Sequence, residues 1–242
     1  MNYENMHTLR NRINNIDAGT ILDVAVGRGD FLKFALHSFK TWQRAIGIDI
    51  NAEMLAEASK VLYDSSAVLI MGSALQMPFI DQYFTTITVS NTLHHIESLN
   101  TLFSEIKRVF KPGGTIIINE MLNENYNTLN ENYMLYHRLT ADIDNQNGIF
   151  HREPFSLKEI ISLLQSFSFT ITDQFVHSEV CENVINNSEI DAMAERLRKK
   201  ISLMHGTDHY YFFKNKADEI INILRTKGVH LPQHAVFILK PV

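Results

Sequence analysis

Short apolar runs alternate with longer stretches of helical spacing over the first half of the chain. The apolar runs predict five strands, at residues 20–26, 44–48, 68–71, 84–90 and 114–120. Apolar residues that recur every three or four positions predict helices between these strands, near 30–39, 52–63 and 98–110. This alternation is typical of a mostly parallel sheet that is covered by helices on both faces.

The second half of the chain has a more helical pattern. Aromatic and aliphatic residues predict a helix over 123–143, and Ser156 opens a capping-box sequence that begins another helix. Two further strands are predicted at 170–176 and 234–240. The long segment between them carries at least two amphipathic helices.

These elements together predict an α/β fold: a doubly wound, seven-stranded, mostly parallel sheet in a single domain spanning 1–242. Residues 121–168 are expected to form lid helices. Residues 177–233 are expected to be a helical insert between the last two strands, which serves either as part of the lid or as the interface of a homodimer.

The composition narrows the classes of protein. The chain has 242 residues with 22 basic and 27 acidic side chains, and a net charge of −5 argues against a nucleic-acid partner. The single cysteine, Cys181, excludes an intrachain disulfide and a multi-cysteine metal site. The first residues do not form a secretory signal, and no apolar run approaches the ~18 residues of a membrane span. We therefore expect a cytoplasmic protein without a membrane span.

A strand, a glycine turn and a helix follow one another over residues 21–30. Gly27 and Gly29 let the backbone approach a ligand where a side chain would collide. Asp49 ends the next strand, where a carboxylate accepts hydrogen bonds from ribose hydroxyls in nucleotide sites. A dinucleotide site needs a third glycine where Leu32 stands, which argues against NAD and FAD.

Five sequence blocks within residues 21–120 carry a resemblance to a known family. In order they are LDVAVGRGDF, GIDINAEML, GSALQMPF, FTTITVSNTLHHI and IKRVFKPGGTIIINE. The chain resembles the class I S-adenosylmethionine (SAM)-dependent methyltransferases, most closely the UbiE-like small-molecule group. The resemblance implies a Rossmann-like fold, SAM as cofactor, and in-line transfer of a methyl group to a small organic acceptor.

The resemblance also implies which residues contact SAM: Asp23, Ala25, Gly27, Gly29, Asp49, Ile50, Met54, Ser73, Ala74, Leu75 and Asn91. Three positions depart from the family pattern. Ala25 replaces a glycine of the loop, and Ser73 replaces an aspartate at the adenine edge. Ser168 stands where a glycine often forms a left-handed helix cap.

A few residues are candidates for contact with the methyl acceptor. His94 and His95 follow the fourth strand and are the candidate catalytic residues. Either one imidazole takes or shares a proton from the nucleophile, or one histidine is a hydrogen-bonded packing residue and the other is solvated. The residues that the resemblance places on a lid over the acceptor are Tyr133, Tyr136 and His137, which alternatively bury an aromatic helix face. Arg152 is a candidate for holding an anionic acceptor.

No metal site is predicted. His205 and His209 are four residues apart, but the intervening Gly-Thr-Asp is a poor helix, so they are not expected to share a helix face. His151 and His230 are the other histidines considered as ligands.

Two other functions stay open at this stage. One is methylation of RNA or protein, although Ser90-Asn91-Thr92-Leu93 stands where planar-amine methyltransferases carry Asn/Asp-Pro-Pro-Tyr. The other is a non-catalytic protein that binds SAM or S-adenosylhomocysteine (SAH) and uses its insert to bind a partner.

Overall fold

A computed structural model describes residues 7–124, 127–178 and 185–241 of the chain. Cys181 lies outside these ranges. Within the described residues, no helix is long and apolar enough to cross a bilayer.

Seven strands form one sheet in the spatial order β3-β2-β1-β4-β5-β7-β6. Strand β7 runs antiparallel to both of its neighbours, and the other neighbouring pairs are parallel. The strands are β1 (Thr20–Val24), β2 (Arg44–Asp49), β3 (Val68–Met71), β4 (Phe84–Ser90), β5 (Phe110–Met121), β6 (Phe169–Ser178) and β7 (Gln233–Pro241). The predicted fold class, a doubly wound and mostly parallel seven-stranded sheet, is confirmed.

Five strands differ from the predicted bounds, and the differences in β1 and β5 have local causes. Strand β1 ends at Val24 because Ala25 has a φ of 54°, which turns the chain out of the extended conformation. Strand β5 begins at Phe110, four residues before the predicted start, and pairs with Phe84 through an irregular register.

The helices are α1 (His7–Ile13), α2 (Asp30–Leu36), α3 (Ala52–Val61), α4 (Leu99–Val109), α5 (Thr128–Gln146), α6 (Leu157–Ser166), α7 (Asn187–Ser202) and α8 (Tyr210–Lys227). Helix α1 was not predicted. Side chains of Asn51, Ser98, Ser156 and Asn186 accept backbone N–H groups at the starts of α3, α4, α6 and α7. Ser156 forms the predicted capping box with Glu159.

Apolar side chains form three buried clusters. Two of them pack against the sheet, and the third joins α5, α7 and α8 into a separate helical layer. The segment predicted as lid helices divides between these layers. Helix α6 packs on the sheet, because Ile160 and Leu164 share a cluster with Phe103 and Phe169, so only α5 joins the helical layer.

Polar contacts also hold α5 against the end of α8 and the chain beyond it. The side-chain amide of Asn130 donates to the carbonyl of Leu231 at 2.7 Å, and that of Asn132 donates to the carbonyl of Gly228 at 2.7 Å. Both side chains are buried, so each of these hydrogen bonds satisfies a group that would be costly to leave unpaired.

Candidate active site

The loop after β1 and the loop after β2 are joined by one carboxylate. The backbone N–H of Gly27 donates to Oδ2 of Asp49 at 2.8 Å, and that of Asn51 donates to Oδ1 at 2.8 Å. Each carboxylate oxygen keeps a further lone pair that can accept a hydrogen bond from a ligand. Asp49 therefore lies beside the glycine loop at the carboxyl edge of the sheet, where open α/β sheets bind ligands.

The two glycines of the loop have different surroundings. Gly27 has a φ of 53°, and a Cβ built on it would meet nothing closer than the Ala25 carbonyl at 3.9 Å. A Cβ on Gly29 would lie 2.9 Å from Cδ1 of Leu62 and 3.2 Å from Cβ of Ala58. Gly27 thus leaves open space in front of the backbone, whereas Gly29 allows α2 to pack closely on α3.

Exposed apolar side chains lie at the ends of β2 and β3. Ile50 is 75% exposed and Met71 is 68% exposed, and Met71 pairs in register with Asp49. Met54 on α3 is partly buried. Sequence analysis missed Met71, although its place at the end of a strand next to β2 was the available signal.

The predicted adenine-edge turn is held by its own serine. The hydroxyl of Ser73 accepts the backbone N–H of Leu75 at 3.1 Å, and Ser73, Ala74 and Leu75 are all partly exposed. The hydroxyl of Ser73 thus stabilises the turn. It stands at the position where the resemblance predicts an aspartate.

Asp23 is buried beneath the loop. Burial raises the pKa of its carboxyl to about 7, a hydrogen bond from Thr88 at 2.5 Å opposes the shift, and the charge of Asp49 adds to it. Asp23 is therefore more easily protonated than an ordinary aspartate, and a nearby ligand cation would favour its ionised form.

Asn91 begins the turn after β4. Its φ is 49°, its backbone N–H donates to the carbonyl of Asn119 at 2.8 Å, and its Oδ1 accepts the N–H of Met121 at 3.0 Å. A 3₁₀ turn, Leu93–His95, follows directly.

A buried carboxylate of β5 fixes this 3₁₀ turn. Oε2 of Glu120 accepts the backbone N–H groups of Thr92 and Leu93, both at 3.1 Å, and Oε1 accepts Nδ1–H of His94. Glu120 is 0% exposed and His94 is 2% exposed. The Nδ1–H tautomer that this contact requires leaves Nε2 of His94 with a free lone pair.

Three other histidines lie against His94. The ring of His95 lies 4.2 Å from that of His94 and 4.1 Å from that of His151. Nδ1 of His151 lies 2.8 Å from Oδ2 of Asp144, and Nε2 of His151 lies 3.2 Å from Nε2 of His137. The structure therefore joins two predicted catalytic histidines, one predicted lid histidine and His151 into one cluster.

Two histidines of this cluster, His95 and His137, favour the neutral state because their pKa values are lowered. Burial lowers the pKa of His137 to about 3, and positive charge on His94 or His151 would lower it further. The pKa of His95 is also well below its usual value, first because its ring is enclosed by the cavity wall and then because of the neighbouring imidazoles. Its side chain still presents surface to the cavity.

A cavity of about 680 Å³ runs from the glycine loop to the histidine cluster. The described residues that line it come from the loop, the edge of the sheet and the helical layer: Arg28, Asp30, Asn91, His94, His95, Met121, Tyr133, Tyr136, His137, Thr140, Asp144, His151, Ile185, Glu189, Ala192, Met193, Arg196, Lys200, Leu231, Pro232 and His234. The helical layer therefore faces the carboxyl edge of the sheet, with a ligand-sized space between them.

Of the four residues predicted to contact the methyl acceptor, three line the cavity and one does not. Tyr133, Tyr136 and His137 line the cavity. Arg152 is not among the described residues that line it, because its guanidinium lies 4.0 Å over the ring of Phe155. The cationic side chains that the structure brings to the cavity are those of Arg28, Arg196 and Lys200.

His205 and His209 lie outside this cluster. Helix α7 ends at Ser202 and α8 begins at Tyr210, so the interruption expected at Gly206 is confirmed. Their rings contact Tyr210 and Phe213 instead.

Comparison with known proteins adds evidence of ancestry. A family model described as "Methyltransferase domain" matches residues 22–118. The chain is 30% identical over 118 residues to a demethylmenaquinone methyltransferase of Roseiflexus sp. (strain RS-1), covering 49% of each protein. The chain thus spans about half the length of this curated relative.

Solved structures extend the fold likeness over the second half. The YcgJ protein from Bacillus subtilis superposes with a TM-score of 0.62 at 18% identity, covering 100% of both chains. Phosphoethanolamine N-methyltransferase 2 from Haemonchus contortus, solved with SAH, gives a TM-score of 0.57 at 20% identity, covering 99% of this chain and 53% of that one.

The open space in front of Gly27, the carboxylate beside it and the exposed apolar pair at the same edge fit an adenosyl cofactor with a charged methionine end. The methyltransferase family match and the structural likeness to a protein solved with SAH support SAM as that cofactor. The comparisons support a class I SAM-dependent methyltransferase, with the methyltransferase domain matched over residues 22–118.

Proposed function

We propose that this chain transfers a methyl group from SAM to a small organic acceptor that binds in the cavity between the sheet edge and the helical layer. The observation that carries the proposal is the continuity of two features. Arg28 and Asp30, which follow Gly27 in the loop that Asp49 holds, line a cavity of about 680 Å³. Pockets of this size are typical of small-molecule sites.

Each part of the proposed cofactor site has one task. Asp49 accepts hydrogen bonds from the ribose hydroxyls, and Ile50 and Met71 cover the two faces of the adenine. Asp23 and Asn91 lie toward the methionine end, where an ionised Asp23 pairs with the cofactor's ammonium group. The sulfonium of SAM supplies an activated methyl group, so the chain's residues mainly bind, orient and exclude water.

The acceptor lies toward the histidine cluster. Tyr133 and Tyr136 form the wall on α5, and the accessible imidazole of His95 accepts a hydrogen bond from the nucleophile. Arg196 holds an anionic group of the acceptor, the role predicted for Arg152. Holding nucleophile and methyl group in line can supply about 7–11 kcal/mol of the barrier reduction.

The helical layer closes the site in this proposal. Lys199 of α7 pairs with Glu53 of α3 at 2.6 Å, so the layer reaches the helix that follows Asp49. Both side chains are largely exposed, so this ion pair contributes little stability. It does show that α7 lies against α3.

The test is incubation of purified protein with SAM and a panel of small acceptors, with SAH release and acceptor mass as readouts. We expect SAH release that depends on acceptor and falls at least tenfold in Asp49→Ala. Release that is equal in the variant and the wild type would contradict the proposed cofactor site. Labelling of RNA or protein without labelling of small acceptors would favour a macromolecular substrate instead.

The homodimer stays a prediction. Leu203, Tyr211 and Phe212 are exposed near the turn between α7 and α8. Mass measurement in solution distinguishes a dimer from a monomer with a lid.

A further inference from the structure

We propose that His94, His137 and His151 bind one divalent transition-metal ion at the inner end of the cavity. Each histidine offers one ring nitrogen, and these three nitrogens lie within 4.8 Å of one another. All three side chains are buried and all three line the cavity. The three-imidazole set suits Zn²⁺ and its borderline neighbours, rather than Mg²⁺ or Ca²⁺, which prefer oxygen ligands.

Two carboxylates fix the direction of two of these imidazoles. Glu120 accepts from Nδ1 of His94, and Asp144 accepts from Nδ1 of His151. Both rings therefore direct Nε2, with its lone pair, away from their carboxylates. A carboxylate that binds the far nitrogen of a ligating histidine is the usual support of a histidine metal site, where it orients the ring and raises its basicity.

Ring nitrogens of the three histidines converge on one small region. Nε2 of His137 lies 3.2 Å from Nε2 of His151, and one nitrogen of His94 lies within 4.8 Å of a nitrogen of each. A cation bound between them would be shared by all three imidazoles.

The spacing is close to that of a coordinated set. Zn–N bonds of about 2.0–2.1 Å in tetrahedral geometry place two ligand nitrogens about 3.4 Å apart. Nε2 of His137 and Nε2 of His151 are 3.2 Å apart, and the other separations, all within 4.8 Å, need to contract by at most about 1.4 Å to reach that value.

Three protein ligands leave a fourth position for a ligand in the cavity. Structural zinc sites use four protein ligands, whereas catalytic sites use three and keep one position open. If the proposed methyl transfer is correct, this position takes an oxygen or sulfur atom of the acceptor. The bound hydroxyl or thiol releases its proton to solvent, the acceptor–methyl bond forms as the methyl–sulfur bond breaks, and the electron pair stays on the sulfur of SAH.

Metal binding is measured on the full chain after dialysis against EDTA, by titration with Zn²⁺ and with Co²⁺ as a spectroscopic probe. We expect one ion per chain and visible Co²⁺ bands of tetrahedral intensity. His137→Ala should weaken binding at least 100-fold. Asp144→Asn should weaken it about 10–100-fold, the usual effect of losing a supporting carboxylate. His205→Ala, which removes an exposed histidine outside the cavity, should bind as the wild type does.

SAM affinity of the same samples separates the possible outcomes. Retained SAM binding in His137→Ala shows that the variant is folded, so weakened metal binding then supports the site. Metal binding that is absent, or equal in wild type, His137→Ala and Asp144→Asn, overturns it. If the wild type binds Zn²⁺ but not SAM, the metal site stands and the proposed methyl transfer fails. If His137→Ala does not fold, Asp144→Asn against His205→Ala decides the question.

Discussion

The backbone N–H of Gly27 donates a 2.8 Å hydrogen bond to the carboxylate of Asp49, 22 positions further along the chain. This bond joins the ends of neighbouring strands β1 and β2, and it holds the glycine loop beside the carboxylate. The contact fixes the distance between the glycine loop and the carboxylate, the two groups that are proposed to bind the cofactor.

Asp49→Asn tests the carboxylate with little change of shape. An amide has one acceptor oxygen in place of two, so it cannot both hold Gly27 and Asn51 and accept from two hydroxyls. We expect SAM affinity to fall at least tenfold by calorimetry. Asp142→Asn, on the exposed face of α5, is the matched control and should leave SAM affinity unchanged. Equal affinity in wild type and Asp49→Asn would be inconsistent with the ribose role.

Gly27 and Gly29 should respond differently to alanine. Gly27→Ala puts a methyl group into the open space, so SAM binding should be lost while stability falls by only about 1–2 kcal/mol from the positive φ. Gly29→Ala has the same kind of strain and also a contact of 2.9 Å with Leu62, which adds about 1–3 kcal/mol of overpacking. Urea unfolding of both variants measures the difference, and an equal loss of stability would contradict these separate roles.

Asp23 should make stability fall as pH rises. Its pKa is about 7 in the native state against 3.8 in the unfolded chain, so between these values the native state binds more protons. The contribution of Asp23 to the free energy of unfolding is therefore fully present below pH 3.8, and it is lost as pH rises through 7. Asp23→Asn keeps the acceptor for Thr88 and removes this dependence.

The difference between Asp23→Asn and wild type in urea unfolding should be small near pH 4. At pH 8 the variant should have the larger free energy of unfolding, by on the order of a few kcal/mol. SAM affinity should fall in the variant, because the proposed partner of the cofactor's ammonium is lost. If the free energies of unfolding of the two proteins differ by the same amount from pH 4 to pH 8, the raised pKa of Asp23 is refuted.

Ser168→Gly should stabilise the protein. Ser168 has a φ of 55° and is exposed at the end of α6, so glycine relieves left-handed strain and should contribute about 0.5–1 kcal/mol. Ser166→Gly, two residues earlier within the helix, is the control and should destabilise by about 0.5–1 kcal/mol. A loss of stability in Ser168→Gly measured by thermal unfolding would contradict this reading of the cap.

The sheet was predictable because its signals are local. Most strands are short apolar runs, and β1 ends earlier than predicted where the conformation of Ala25 overrides composition. The left-handed backbone at Ser168 is also predictable, because helices commonly end in that conformation.

The histidine cluster was not predictable in the same way. Glu120 and His94 are 26 positions apart, and His137 and His151 come from α5 and the loop after it. Their convergence depends on how the helical layer packs over the sheet edge, and no local pattern reports that packing. The histidine pair with helical spacing in the sequence, His205 and His209, lies in the interruption between α7 and α8.

Calorimetric titration of the purified wild-type chain with SAM and with SAH tests the central claim most directly. The account predicts saturable binding of both compounds at one site per chain, and loss of that binding in Gly27→Leu, whose side chain would fill the space in front of the loop. Absence of binding heat with both compounds, confirmed by equilibrium dialysis, or unchanged affinity in Gly27→Leu, would contradict it.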